Sequence, residues 1–210
     1  MIILYHSPFT RSHLIRFILE ELELPHELRS LSIAKGEHKA NSYLALNPLG
    51  QLPTLIDGDL TIREAAAIAL HLGDKAADQA QQRGLVPRLG SPARAAYYQW
   101  VVFAVAAELL ALSKLARHTR LLPELERIPA VAAAGRAEWQ AVARALSLGI
   151  GGKPYLLGEG FSLADAMVGG SLALAASLGV LSRYPELAAY FARVSARPAF
   201  QRAYADAVAP

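Results

Sequence analysis

Cysteine is absent from the 210-residue sequence. Its absence excludes disulfide frameworks, thiolate metal sites and cysteine nucleophiles. Any thiol chemistry carried out by this protein must therefore use the thiol of a substrate.

Long hydrophobic runs are also scarce, although 53% of the residues are hydrophobic. The longest run, residues 166–181, is too short and too often interrupted by glycine to cross a bilayer, so it indicates a buried helix. The N-terminus lacks the basic segment and cleavage site of a secretory signal peptide. These features predict a cytoplasmic protein that does not act at a membrane.

Clusters of charged and metal-binding residues are lacking as well. The arginines behind the net charge of +3 are scattered along the chain, which does not indicate a nucleic-acid partner. The six histidines have no paired spacing and no carboxylate companion in the sequence, so no metal site is expected. No glycine-rich phosphate loop is present.

The first third of the chain alternates strand and helix patterns. Strands are expected near residues 2–6, 26–33, 51–57 and 60–62, and helices near 12–24 and 63–72. Residues 35–48 are expected to form a loop and a short helix that ends at Asn47-Pro48. The sequence Asp57-Gly58-Asp59 is a strong hairpin signal between the last two strands. The order β-α-β-α-β-β-α predicts a small α/β domain with a mixed sheet.

The remainder of the chain has helical patterns only. Residues 77–92 are polar and rich in glycine and proline toward their end, which predicts a linker. The expected domains are therefore residues 1–76, α/β, and residues 93–210, all-α. Ser162 and Asp165 have the spacing of a capping box, in which each side chain bonds the backbone N–H of the other, at the start of a buried helix.

The sequence resembles the cytosolic glutathione transferases. The resemblance is carried by NPLGQLPTLIDGDLTIREAAAI (residues 47–68), by FSLADAMV (residues 161–168) and by the order of elements over nearly the whole chain. It implies a thioredoxin-like domain followed by a helical domain, and a homodimer. It also implies conjugation of the glutathione thiolate to a small hydrophobic electrophile.

The resemblance assigns the cysteinyl contact to residues 51–53. An X–Pro bond is cis in only about 5–6% of cases in folded proteins, so the sequence alone favours a trans bond before Pro53. The family instead has a cis proline here, which turns the backbone groups of Leu52 outward. Those groups can pair with the cysteinyl residue as an added strand would. Gln51 contributes a side-chain amide beside this contact.

Glu64 and Ala65 correspond to the family's site for the γ-glutamyl group. On its own, Glu64 is better explained as a glutamate that stabilises the helix dipole. In the family, this glutamate is followed by a serine whose hydroxyl and N–H bind the ligand. Here the residue is Ala65, so the N–H is kept and the hydroxyl is lost.

His38 and Lys39 resemble the Gly-x-His-Lys segment of phi-class transferases, where the two side chains reach the glycine carboxylate of glutathione. A solvated polar loop is the alternative explanation. A cationic pair suits this ligand, because glutathione carries two carboxylates and one amine.

Ser7 follows the first strand and resembles the serine of the Ser-Pro-Phe turn of tau-class enzymes, which donates a hydrogen bond to the bound thiolate. The alternative is a serine that caps the next helix. Thr10 and Ser12 lie in the same turn and are rivals for the catalytic role.

Two other functions remain open from the sequence. The first is a glutathione-dependent disulfide reductase or peroxidase, in which glutathione supplies every thiol. The second is a non-catalytic glutathione-binding scaffold, which the loss of the hydroxyl at Ala65 favours. The presence of Ser7, Gln51, Pro53 and Glu64 argues against the scaffold.

Overall fold

The structure, a computed structural model, describes residues 1–206. It divides into two units, one made of residues 1–86 with the segment from Ala196 onward and the other of Pro87–Ser195. The strands are β1 (Ile2–His6), β2 (His26–Ser30), β3 (Thr54–Asp57) and β4 (Leu60–Arg63). The helices are α1 (Ser12–Glu21), α2 (Asn41–Leu44), α3 (Ala65–Lys75), α4 (Ala77–Gln82), α5 (Pro92–Phe103), α6 (Leu109–Ala116), α7 (Pro129–Ile150), α8 (Leu163–Ser177), α9 (Pro185–Ser195) and α10 (Pro198–Ala203).

The first unit contains a four-stranded mixed sheet in the order β2-β1-β3-β4. Strand β1 is parallel to β2 and antiparallel to β3, which pairs with β4 through the predicted hairpin. Gly58 adopts a φ of 61° in that hairpin. The central strands β1 and β3 are apolar because they are buried. Leu4 and Leu55, for example, are completely buried. The predicted α/β class and mixed sheet are confirmed.

The second unit is all-α, as predicted. Helices α5 and α6 join through a π-helical segment, Ala104–Glu108, and a second such segment, Arg117–Leu121, follows α6. Together they form a 30-residue helix, Pro92–Leu121, that is long and apolar enough to cross a membrane by length and composition alone. Of the most apolar 18-residue stretch of this helix, 44% is buried inside the protein. Core helices of soluble proteins can be equally long and apolar.

The unit boundaries differ from the expected ones in two places. The expected linker contains helix α4, and helix α10 belongs to the first unit. Helix α10 packs against α1, where the rings of Phe17 and Phe200 meet edge to face with centroids 5.4 Å apart. The guanidinium of Arg197, just before α10, binds the buried carboxylate of Glu21 with one bond of 2.8 Å. These contacts link positions about 180 residues apart, which local sequence patterns do not reveal.

Candidate active site

Three of the predicted site segments meet at one end of the sheet. Tyr5 pairs with Thr54 across β1 and β3, and Thr54 pairs with Arg63 across β3 and β4. Ser7 follows β1, Pro53 precedes β3 and Glu64 follows β4. Because neighbouring strands are antiparallel, the end of β1, the start of β3 and the end of β4 lie at the same edge.

The turn after β1 leaves the hydroxyl of Ser7 without a protein partner. The Ser7 backbone N–H donates to Ser12 Oγ at 3.3 Å, and its C=O accepts from Thr10 Oγ1 at 2.8 Å. Ser7 is a buried residue, and its hydrogen bonds within residues 1–206 involve only its backbone and not Oγ. The N-cap of α1 is Arg11, so Ser7 is not a helix cap. The hydroxyl of Ser7 is therefore free to donate to a ligand.

The two rival hydroxyls are occupied. Thr10 Oγ1 donates to the C=O of Ser7 and lies 2.6 Å from Ser12 Oγ. Ser12 Oγ also lies 2.8 Å from His6 Nδ1 and is completely buried. Both hydroxyls thus hold the turn in place, and neither could bind a ligand without giving up these contacts.

The peptide bond between Leu52 and Pro53 is cis, as the resemblance implies. Neither the N–H nor the C=O of Leu52 is hydrogen-bonded within the part of the chain that the structure describes. The preceding carbonyl of Gln51 is fixed by Tyr43 OH at 2.6 Å and Asn47 Nδ2 at 2.8 Å. A buried polar anchor therefore holds this segment while leaving the backbone of Leu52 available for strand-like pairing.

Glu64 adopts an unusual backbone conformation at the junction of β4 and α3. Its φ is 66° and its ψ 115°, a combination that costs a non-glycine residue of order 1–3 kcal/mol. The Glu64 side chain is exposed and makes no hydrogen bond or ion pair with any described residue. The next residue, Ala65, is buried at the helix start, where backbone N–H groups lack intrahelical partners. A strained, unpaired carboxylate beside free donors is typical of a ligand site.

His38 and Lys39 lie in a short 3₁₀ helix, Glu37–Lys39, that contacts the loop before Gln51. Lys39 Nζ donates to the carbonyl of Leu49 at 2.9 Å. A side chain at Gly50 would clash with His38 O and Lys39 Nζ, each under 3.0 Å from the position of its Cβ. The predicted pair is therefore packed against the loop that leads to Leu52. Lys39 remains exposed, and His38 Nδ1 is buried without a partner among the described residues.

A small pocket collects most of the predicted binding residues. Its lining comprises Arg11, Asn47, Gln51, Leu52, Pro53, Glu64 and Ala65. Ser7, His38 and Lys39 are not part of this lining. Asn47 was not predicted as a site residue, and only its place in the NP motif could have indicated it.

The structure corrects one inference about the histidines, namely that none has a carboxylate companion. His6 Nε2 lies 2.9 Å from Asp206 Oδ2, while His6 Nδ1 contacts Ser12 Oγ. The connection Asp206–His6–Ser12 therefore runs from the C-terminal segment to the turn that carries Ser7. Burial lowers the pKa of His6, and this effect outweighs the opposing influence of Asp206.

The ligand atoms of His6, His13 and Asp206 lie within 4.8 Å of one another, a spacing that could hold a metal ion. However, the guanidinium of Arg16 binds Asp206 Oδ1 at 3.1 Å, and His13 Nδ1 is 2.9 Å from the carbonyl of Ala203. A cation would meet the positive charge of Arg16 and would have to displace these bonds. The cluster is therefore better described as a hydrogen-bonded network than as a metal centre.

Acidification should destabilise the wild type more than the variant His13→Asn. Burial lowers the pKa of both His6 and His13 below 6.5, so the unfolded chain takes up protons first as the pH falls through that value. Each shifted histidine costs up to about 1.4 kcal/mol of unfolding free energy per pH unit in this window. Denaturant titrations of both proteins at several pH values between 5 and 8 measure the difference.

Titratable groups that are present in both proteins contribute equally to both free energies of unfolding. Their contributions therefore cancel in the comparison, even where they stabilise the fold at lower pH. Burial raises the pKa of Glu108 well above its usual value, so this carboxyl favours folding at lower pH in both proteins. A stability difference that stays constant across the range would contradict the expected role of His13.

Two models of known protein families match parts of the chain. Residues 1–74 match the model of the glutathione S-transferase N-terminal domain, and residues 129–193 match that of the C-terminal domain. Glutathione S-transferase 3 of Zea mays is 31% identical over 198 residues, which cover 90% of this chain and 86% of that protein. Disulfide-bond oxidoreductase YfcG of Escherichia coli is 28% identical over 172 residues, 79% of this chain and 76% of the other.

A solved structure of a glutathione transferase has the same fold as this chain. The transferase URE2P6 of Phanerochaete chrysosporium, solved in complex with oxidised glutathione, has a TM-score of 0.86 and 26% identity, covering 98% of this chain and 96% of that one. Both domain models, the maize relative and the matching fold lead to one conclusion: the chain belongs to the glutathione S-transferase family.

Proposed function

We propose that the protein activates the thiol of glutathione and conjugates it to small hydrophobic electrophiles. The observation that carries the proposal is the unpaired hydroxyl of Ser7 at the sheet edge that also holds the free backbone groups of Leu52. In the reaction the thiolate sulfur bonds to an electrophilic carbon. In a substitution the leaving group departs with its electron pair and the thiol proton is released to solvent, whereas in addition to an activated alkene no group leaves and the neighbouring carbon takes up a proton.

Ser7 is the proposed catalytic residue, since its hydroxyl can donate to the thiolate. Lowering the thiol pKa by two to three units requires roughly 3–4 kcal/mol of preference for the anion. One hydrogen bond to a charged group supplies about 1.5–3 kcal/mol. The start of helix α1 supplies about 0.3–1 kcal/mol more. These contributions suffice without a metal ion or a protein thiol.

The remaining residues bind the tripeptide. The backbone of Leu52 pairs with the backbone of the cysteinyl residue. The cis bond to Pro53 turns these groups of Leu52 outward, and the side-chain amide of Gln51 lies beside the contact. Glu64 accepts from the γ-glutamyl ammonium, and the N–H of Ala65 donates to the neighbouring carboxylate. Because both ends of the tripeptide are bound, its thiol is oriented toward Ser7.

Replacing both His38 and Lys39 by alanine should raise KM for glutathione about tenfold and leave kcat nearly unchanged. The pair is proposed to bind the glycine carboxylate equally in the ground and transition states, so its loss removes uniform binding. Steady-state kinetics with varied glutathione measure both constants. Lys35→Ala, which removes an exposed lysine of the same loop, is the control and should change neither. A large fall in kcat at unchanged KM would contradict this assignment.

A second candidate is disulfide reduction, and the similarity to YfcG specifically favours it. Two glutathione molecules would be oxidised to their disulfide while the substrate disulfide gains two electrons and two protons. The chain has no cysteine, so glutathione must supply both thiols. The same Ser7 hydroxyl would stabilise the attacking thiolate.

A substrate panel tests the two candidates. Calorimetric titration first establishes whether the protein binds glutathione. Turnover is then measured with an activated aryl halide, an α,β-unsaturated carbonyl, a glutathione mixed disulfide and an organic hydroperoxide. Conjugation is supported if the first two substrates are consumed with stoichiometric loss of glutathione. Activity restricted to the last two would instead support the reductase or peroxidase.

The proposal includes a homodimer in the cytoplasm. The absence of cysteine is compatible with a reducing compartment, and the family resemblance supports the dimer. Analytical ultracentrifugation of the purified protein measures the oligomeric state directly.

A further inference from the structure

A buried histidine connects the C-terminal segment of the first unit to the turn that carries Ser7. Asp206 Oδ2 lies 2.9 Å from His6 Nε2, and His6 Nδ1 lies 2.8 Å from Ser12 Oγ. Ser12 Oγ in turn accepts from the backbone N–H of Ser7 at 3.3 Å. His6, Ser7 and Ser12 are all buried, whereas the side chain of Asp206 is 40% exposed. Three hydrogen bonds therefore link a distant carboxylate to the backbone of the proposed catalytic residue.

The partners of His6 determine which of its nitrogens carries the proton. Although partial burial alone would raise the pKa of Asp206, the bond from His6 and the nearby charge of Arg16 lower it, so the carboxyl is ionised. An ionised carboxylate only accepts, so His6 Nε2 carries the hydrogen and donates it to Asp206. Burial lowers the pKa of His6, so the ring is neutral at neutral pH and Nδ1 is left as an acceptor.

An acceptor at His6 Nδ1 fixes the direction of the Ser12 hydroxyl. The single proton of Ser12 Oγ is donated to His6, so its lone pairs face the N–H of Ser7. Thr10 Oγ1 lies 2.8 Å from the carbonyl of Ser7 and 2.6 Å from Ser12 Oγ, and shares its own proton between these two oxygens. If His6 Nδ1 carried the proton, the Ser12 hydroxyl would have to donate to Thr10 or to the Ser7 carbonyl instead. The tautomer of His6 therefore sets the hydrogen bonds of the Ser7 backbone.

We propose that His6 is a positioning residue for Ser7, and that Asp206 fixes the tautomer in which His6 acts. His6 holds the hydroxyl of Ser12, and Ser12 holds the backbone from which the hydroxyl of Ser7 reaches the thiolate. The inference rests on the proposed function, in which Ser7 donates to the thiolate of glutathione. A misdirected Ser7 hydroxyl leaves the binding of the tripeptide intact but lowers its thiol pKa less.

Asp206→Asn tests the tautomer, because Arg16 determines how the new amide is oriented. Arg16 Nη1 donates to Asp206 Oδ1 at 3.1 Å, so the amide oxygen stays there and the NH₂ group faces His6 Nε2. Two donors cannot share that contact, so the proton of His6 moves to Nδ1. The pKa of glutathione's thiol when bound to the intact protein, measured by ultraviolet absorbance, should rise by about 0.5–1 unit. With an activated aryl halide, kcat should fall about 3- to 10-fold at unchanged KM for glutathione.

Asp206→Ala separates a positioning role from a purely structural one. Alanine loses the bonds to both His6 and Arg16, but it leaves His6 free to keep its proton on Nε2. The thiol pKa should therefore rise less than in Asp206→Asn, whereas the melting temperature should fall further. If the alanine variant is the more impaired in both measurements, Asp206 only ties the C-terminal segment to its neighbours, and the inference is overturned.

Glu20→Gln is the matched control, because it makes the same change of charge in the same unit. Glu20 Oε2 accepts from Arg202 Nε at 2.6 Å, which is another bond between helices α1 and α10. Glu20 lies eight residues along α1 from Ser12, about 12 Å of helix, and so does not reach the turn. Its thiol pKa and kcat should equal those of the wild type. A rise in thiol pKa as large as in Asp206→Asn would mean that charge or a loosened α10 causes the effect, which contradicts the inference.

A double variant tests whether the effect passes through the hydroxyl of Ser12. In the Ser12→Ala background the tautomer of His6 has no hydroxyl to direct, so adding Asp206→Asn should change neither the thiol pKa nor kcat. A further loss of 3- to 10-fold in that background would show that Asp206 acts by another route, and the proposed connection would be wrong.

The outcomes separate the inference from the function on which it rests. If the wild type lowers the thiol pKa of glutathione and Asp206→Asn leaves it equally low, the inference fails and the proposed function survives. If the thiol of glutathione bound to the wild type ionises near pH 8.5, as a free thiol does, both fail.

Discussion

Ser7→Ala should lower kcat/KM for glutathione conjugation roughly 10- to 150-fold at neutral pH. The lost hydrogen bond to the thiolate is worth about 1.5–3 kcal/mol, which corresponds to that range. The dissociation constant of glutathione should change little, because the tripeptide is held by its ends rather than by its sulfur. Ultraviolet absorbance of the bound thiolate as a function of pH measures the thiol pKa directly.

The loss of activity in Ser7→Ala should depend on pH. A free thiol ionises near pH 8.5, so a wild-type enzyme that lowers this pKa has its largest advantage below that value. The difference between the wild type and Ser7→Ala should therefore shrink as the pH rises through 8.5. Activity lost equally at all pH values would indicate a general structural defect instead.

Thr10→Val is the informative control, because it removes the rival hydroxyl of the same turn. Thr10 Oγ1 is already committed to the Ser7 carbonyl and to Ser12. Its loss should loosen the turn but leave the thiol pKa lowered. An unchanged thiolate titration in Ser7→Ala, together with a raised pKa in Thr10→Val, would transfer the catalytic role to Thr10.

The sheet edge could be predicted from sequence because its parts are specified locally. The run of apolar residues before Ser7 defines β1, and Asp57-Gly58-Asp59 defines the hairpin of β3 and β4. Once these strands are antiparallel neighbours, the segments at 53 and 64 must lie at one end. The resemblance added the identity of the ligand and the cis bond before Pro53.

The rest depends on contacts between distant positions. Asp206 meets His6 across 200 residues, and helix α10 joins the first unit through Phe200 and Arg197. Neither pairing leaves a periodic or spaced pattern in the sequence.

The conformation of Glu64 illustrates the same limit. A glutamate before a helix is ordinary in sequence and favourable for the helix dipole. The structure adds the positive φ of 66° and the absence of a partner in the described chain. Local sequence preferences fail here because the strand and the helix on either side hold the backbone in a conformation that a glutamate rarely adopts.

Asp165→Asn should lower the free energy of unfolding by about 3–5 kcal/mol, the largest stability effect expected here. The completely buried carboxylate accepts four hydrogen bonds. Leu156 N–H and Tyr190 OH donate to Oδ1, both at 2.9 Å, and the N–H and hydroxyl of Ser162 donate to Oδ2, both at 2.8 Å. An asparagine keeps the shape but replaces one acceptor oxygen by an NH₂ group, so two donors face another donor.

The measurement is thermal and denaturant unfolding of Asp165→Asn beside two partial variants. For a chain of this length, 3–5 kcal/mol corresponds to a melting temperature lower by about 10 °C. Ser162→Ala removes the cap hydroxyl and should cost about 1 kcal/mol, while Tyr190→Phe removes a single bond and should cost about 1–3 kcal/mol. If Asp165→Asn were no less stable than Ser162→Ala, the carboxylate would contribute only as a helix cap. The network that joins the loop at Leu156 to helices α8 and α9 would then not be a determinant of the stability of the helical unit.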